Sequence, residues 1–174
     1  MTPIVSMLRR VPKRVGLPAL FATAASLAIV GAAPAAADQI TVVIERVTAL
    51  DRIDPLGQAD FLARVTIAGE VFQTKRERRH DDLVPTNWVF TKDVAPGTHS
   101  VKIEIYDKDI LTRDDQVDIN RVDPKRDLDF SVNTRRRPCR LPDFAGSPRC
   151  GLTIVREGGE RRRARLSFRV EVNR

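Results

Sequence analysis

Histidine is scarce in this chain: two among 174 residues, His80 and His99. No G-x-S-x-G, H-E-x-x-H or glycine-rich phosphate loop occurs in it. The hydrolase, metalloprotease and nucleotide-binding chemistries that depend on those motifs have no foothold. Cysteine is equally sparse. Cys139 and Cys150 are the whole complement, with no histidine between or beside them, so a tetrahedral zinc site lacks its ligands. Nothing beyond Gly31 sustains an apolar stripe at helical spacing, which argues against a helical architecture. An apolar run of the roughly 20 residues needed for a spanning helix is missing as well.

What the N-terminus does contain has three parts. Arg9, Arg10, Lys13 and Arg14 form a basic head without an acid. A small and apolar stretch runs from Val15 to Gly31. Ala35-Ala36-Ala37 follows, just before Asp38. That order is the pattern of a secretory signal, with an uncleaved anchor as the alternative. Residues 1–37 are expected to be a signal peptide and 38–174 a single domain, exported to the periplasm or secreted. The 137 remaining residues are enough to bury a core without help from metal or disulfide. The leader takes four of the thirty basic residues with it, leaving twenty-six against twenty-three acids. An excess that small gives no support for a nucleic-acid partner. In an exported chain two cysteines suggest a Cys139–Cys150 disulfide. Closing so short a loop contributes about 2–3 kcal/mol in the chain-entropy model.

The rest of the chain alternates with period two. Ile40, Val42 and Ile44 set the pattern; Phe61 to Ile67, Val101 to Tyr106, Leu128 to Val132 and Leu166 to Val172 repeat it. Shorter candidates cover 71–76, 87–92, 116–121 and 151–156. Turn signals separate them, among them Asp54-Pro55-Leu56-Gly57, Ala95-Pro96-Gly97 and Gly158-Gly159. Eight or so half-buried strands at close spacing predict an all-β domain, an eight-stranded antiparallel β-sandwich, with a closed barrel as the alternative.

Two of the loops are acidic. One holds Asp51, Asp54 and Asp60; the other holds Asp107, Asp109, Asp114 and Asp115. Short carboxylates at strand mouths are hard-oxygen ligands of the kind calcium takes in sixes to eights. Aspartate is also an ordinary turn residue, because it bonds nearby amides, so both readings stand at this point. An EF-hand is excluded. Counted from Asp107, the sixth position is Thr112 instead of glycine and the fifth is Leu111.

Asp54-Pro55-Leu56-Gly57-Gln58-Ala59-Asp60-Phe61 resembles the first calcium loop of the C2 domain family, D-P-x-G-x-S-D-P-Y. Asp107-Lys108-Asp109 with Asp115 resembles its third loop, D-x-D with a further D six residues on. Gln73-Thr74-Lys75-Arg76 and Pro85-Thr86-Asn87-Trp88-Val89-Phe90 resemble its K-T-K and N-P-x-W-N-E-x-F stretches. The four pieces occur in the family's order between about Ile40 and Asn120. Because the first-loop motif directly follows the first strand, the permuted form called type II is the better match. The resemblance implies calcium held by Asp54 and Asp60 from the first loop and Asp107, Asp109 and Asp115 from the third. Carbonyls of Ile53 and Lys108 would add ligands. Three departures stand beside this. Pro-Tyr is replaced by Phe61-Leu62, the glycine after the third loop by Asp118, and the acid after the tryptophan is absent.

By the same resemblance, calcium would draw the loop tips onto anionic phospholipid or a membrane surface. Leu56, Ile110 and Leu111 are the apolar tips, and Arg113 is placed to meet a phosphate. Packing of these side chains against one another is the alternative. Lys75, Arg76, Arg78, Arg79 and His80 read as a solvated, charged edge strand, with contact to anionic headgroups, which the resemblance implies, as the alternative. Arg135-Arg136-Arg137 and Arg161-Arg162-Arg163 read as solvated turns. Three functions remain: a calcium-dependent lipid-binding module, an exported protein- or glycan-interaction domain braced by calcium, and a small calcium-using hydrolase. The missing motifs favour a non-enzyme.

Overall fold

The computed structural model describes residues 37–54, 57–75, 81–83, 86, 88–108, 114–122 and 124–174. Ten strands are formed: β1 Asp38–Ala49, β2 Phe61–Ile67, β3 Glu70–Gln73, β4 Asp82–Leu83, β5 Trp88–Val94, β6 Thr98–Asp107, β7 Asp115–Val117, β8 Leu128–Asn133, β9 Ile154–Glu157 and β10 Ala164–Asn173. Alternation is the reason these segments are strands. Val101, Ile103 and Ile105 of β6 are buried while Lys102 and Glu104 between them are not. Ala164, Leu166, Phe168 and Val170 of β10 repeat the arrangement. One apolar face per strand is all that a two-layer antiparallel domain needs.

All pairings between these strands are antiparallel. In the first sheet β1 lies between β10 and a split edge made of β5 and β4, and β9 closes the far side of β10. In the second, β2 lies between β3 and β6, and the other side of β6 takes a split edge of β8 and β7. Counting each split edge once gives four columns per sheet. The result is the eight-stranded antiparallel sandwich expected from the sequence, and not a closed barrel. The last strand pairs with the first, and β1 leads directly into the first acidic loop. Between the sheets Phe130, Phe144 and Phe168 form an aromatic knot. Phe144 lies edge-on to both partners, with centroids 5.0 and 5.8 Å apart.

Some boundaries differ from the alternation reading. β4 is two residues long, too short to show a period. The 151–156 candidate begins only at Ile154, because Gly151 turns the chain at φ 87° and gives its N–H to the Val170 carbonyl. The 116–121 candidate is ordered as β7 up to Val117, followed by a single bridge from Asp118 to Arg163. Of the 71–76 candidate, strand geometry reaches Gln73, and residue 76 lies outside the described residues.

Register fixes which loops share an end. Phe61 pairs with Asp107, Asp107 with Asp115, and Ala49 with Ala164. Asp118, next after β7, bridges to Arg163, next before β10, so the end of β1, the start of β2, the end of β6, the start of β7 and the start of β10 lie at one rim. Thr98 pairs with Asn133 and Gln39 with Asn173 at the opposite pole.

Candidate functional site: an acidic rim

The two acidic loops meet. Asp107 ends β6 with its side chain on the inward face, 3% exposed. Its carboxylate accepts the Asp60 N–H at 2.6 Å, and the Asp60 carbonyl accepts the Lys108 N–H at 2.9 Å. Asp115 stands opposite Asp107 in the ladder, so both side chains leave the same face of the sheet. Asp54 is half-buried in the first loop. A Cβ at Gly57 would come within 3.2 Å of its Oδ2, so that carboxylate lies against the glycine. Ile53 and Ala59, on either side of this pair, are buried in the core.

Four of the five proposed ligands are thus accounted for, and Asp60, Asp107 and Asp115 lie at one rim. Asp109 lies outside the described residues, as do Leu56, Ile110, Leu111 and Arg113. Among the described residues, no three acidic, histidine or cysteine side chains come together as a metal-holding group. The donor chemistry of the rim still fits calcium. Every candidate ligand is a carboxylate or carbonyl oxygen, and histidine and thiol, which would favour zinc, are absent from the described part of the site.

Cations come to the same rim from the turn joining β9 to β10. Arg162 bridges to Asp115 at 2.5 Å. Arg163 forks onto Asp51, Nη2 at 2.7 Å from Oδ1 and Nε at 3.0 Å from Oδ2. Hydrogen bonding from Arg163 holds the Asp51 carboxyl below the usual range, against a smaller opposing effect of burial. Lys108 reaches across its own loop to Asp114 at 2.8 Å. The reading of 161–163 as a simply solvated turn is therefore corrected: two of its arginines are counter-ions of the acidic loops. The sequence could not signal this, since the pairs are separated by up to 112 residues.

Asp118, noted only as a departure from a glycine, is the other residue whose role sequence reasoning missed. It is buried, and its carboxylate accepts N–H groups from Asn120, Gly159 and Glu160 at 2.9, 2.9 and 2.8 Å. Its backbone accepts from Ala164 and donates to Arg162. Asp81 plays a lesser part, accepting the Ala59 N–H at 3.0 Å. These aspartates hold the loops in place by the ordinary turn chemistry that competes with metal ligation. Far from the rim, Cys139 and Cys150 are joined in a disulfide, Cα atoms 5.4 Å apart.

No family model and no curated protein sequence matches the chain. Solved structures do. Human GIVD cytosolic phospholipase A2, in complex with methyl gamma-linolenyl fluorophosphonate, matches 78% of this chain at a TM-score of 0.52 and 17% identity; the match spans 17% of the phospholipase. A C2 domain of plant Extended Synaptotagmin 1 matches 78% of this chain and 93% of its own length, at a TM-score of 0.53 and 14% identity. The calcium-bound pair of C2 domains of Extended-Synaptotagmin 2 matches 77% of this chain and 45% of its own length, at a TM-score of 0.51 and 15% identity. The fold is that of a C2 domain.

Proposed function

We propose that this protein is an exported, calcium-binding C2-like module that docks on anionic phospholipid through its acidic rim. The observation that carries the reading is the direct link between the two loops, Asp60 N–H to the Asp107 carboxylate with Asp115 opposite. Asp54, Asp60, Asp107, Asp109 and Asp115 would hold the ion. Bound calcium would neutralise the rim and offer open positions to lipid phosphate oxygens. In this reading Leu56, Ile110 and Leu111 enter the interface; each contributes about 1.5–3 kcal/mol when fully transferred. Arg113 meets a headgroup.

Export is supported from two directions. β1 starts at Asp38, immediately after the Ala35-Ala36-Ala37 exit, and among the described residues the sheet pairings begin there, Asp38 with Val94 and Gln39 with Asn173. The Cys139–Cys150 disulfide suits an oxidising compartment. We assign no catalytic role, because the sequence carries none of the G-x-S-x-G, H-E-x-x-H or glycine-rich phosphate-loop motifs. A calcium-braced surface for protein or glycan is the second reading. It shares the ion site and differs in what the loop tips touch.

Co-sedimentation with vesicles of phosphatidylserine and phosphatidylcholine separates the two. The lipid reading expects retention with calcium, release by chelator, and at least tenfold weaker retention for Asp60→Asn with Asp107→Asn. Calcium binding without vesicle retention would leave the protein or glycan reading.

A further inference from the structure

The pole away from the rim is basic. Between Asn133 and Gly151 the chain places Arg135, Arg136, Arg137, Arg140 and Arg149 against one acid, Asp143. Among the described residues, none of the five has a carboxylate partner. A cavity of about 300 Å³ opens here, lined by Arg136, Arg140, Asn133, Thr98, Ser131 and Ser147 with two prolines. Two arginines, three hydroxyl-bearing residues and an asparagine thus line one hollow.

The walls of the cavity are held by their own hydrogen bonds. Asn133 Oδ1 accepts the N–H groups of Arg135 and Arg136 at 3.0 and 3.2 Å, which fixes the turn that presents Arg136. Asn133 Nδ2 donates to Thr98 Oγ1 at 2.9 Å. Arg140 donates one Nη1 proton to the Ser147 carbonyl at 2.9 Å, anchored within the disulfide hairpin. Its remaining donors have no partner among the described residues. Asp143 is engaged at the edge, accepting from the N–H and Oγ of Ser131 at 2.7 Å each. Its charge opposes an anion, and the two lining arginines exceed it.

We infer that this cavity binds a phosphate group without calcium. Guanidinium forks match tetrahedral oxyanions and charge-assist their hydrogen bonds. Walls held in place beforehand lose little freedom on binding. The volume lies at the small end of ligand pockets, which suits phosphate or a small phosphomonoester. Its source is either a lipid headgroup or a soluble phosphate. β6 spans the distance between pole and rim, about 30 Å at strand rise, so the two sites are separable.

The test is an amide NMR titration with inorganic phosphate against chloride at equal ionic strength, in chelator. Saturable shifts are expected at Ser131, Asn133 to Arg137 and Arg140, weakened at least fivefold in Arg136→Ala and tenfold in Arg136→Ala with Arg140→Ala. The single variant leaves the Arg140–Ser147 bond intact, so it retains the braced hairpin. A second arm uses phosphatidic acid vesicles against phosphatidylcholine, again in chelator. Retention lost in Arg136→Ala assigns the site to a headgroup, and saturable phosphate shifts without retention assign it to a soluble phosphate. Shifts that do not saturate, that chloride reproduces, or that survive both substitutions overturn the proposal. Failure of calcium to bind the rim would leave it untouched.

Discussion

Asp115 and Asp51 show how one residue type takes opposite roles in the same rim. Each has an arginine from the β9–β10 turn. Arg162 holds Asp115 through a single contact, with both side chains about one-third exposed. Calcium must displace it if Asp115 is to be a ligand. An exposed pair of this kind contributes about 0.2–1 kcal/mol. Arg162→Ala is therefore expected to tighten calcium binding by up to about fivefold in calorimetry, with the fold unchanged. Asp51, by contrast, is clamped at both oxygens by Arg163, and its pKa is lowered by that hydrogen bonding. A depressed carboxylate contributes stability that is complete above its unfolded value, about 3.9, and lost as pH falls through the lower folded value. The gap in Tm between the wild-type protein and Asp51→Asn should be constant above about pH 5 and close as the medium becomes more acid. A gap that persists unchanged at pH 2 would contradict this assignment.

The element that organises the rim is the turn at 158–163. Gly158 passes so close to Asp118 that a Cβ there would overlap the Asp118 carbonyl oxygen. Backbone cannot yield to such an overlap, so Gly158→Ala should shift the turn and with it both arginines. Asp118→Ala leaves three part-buried N–H groups without their acceptor and is expected to cost about 2–3 kcal/mol in denaturant unfolding. A loss under about 1 kcal/mol would show that water replaces the carboxylate. The sequence displays these elements unevenly. β6 and β10 are legible because burial of one face writes a period of two into the chain. The first and third loops are legible because their acids cluster locally. Asp118 is not, since its partners lie 41 and 42 residues away and its own neighbourhood looks like one more acidic turn. Arg162 and Arg163 are hidden for the same reason. Their local context is a charge run; the β1–β10 pairing brings Arg163 to Asp51, and the backbone contacts of Asp118 with this turn bring Arg162 to Asp115.

Across the whole molecule, the sandwich separates charge along its strands. Acids from three chain segments, partly neutralised by Arg162, Arg163 and Lys108, gather where β1, β6 and β10 meet the loops. The arginines of the disulfide hairpin gather at the other pole. In the proposed reading such a charge arrangement would orient the protein at a charged surface, and calcium would reverse the sign at one end only. The net charge of residues 38–174, twenty-six bases against twenty-three acids, therefore understates the local fields. For the central claim, that carboxylates of the first and third loops share one calcium ion, the most direct measurement is calorimetric calcium titration of the wild-type protein beside Asp107→Asn with Asp109→Asn. Thermal melts of both proteins over the same calcium series accompany it. The account predicts a wild-type Kd of about 10⁻⁴–10⁻³ M, as in extracellular modules. Calcium at a hundred times Kd should then stabilise by about 2.7 kcal/mol, and the double variant should lose both effects. Equal calcium affinity in the two proteins, or none in either, would contradict it.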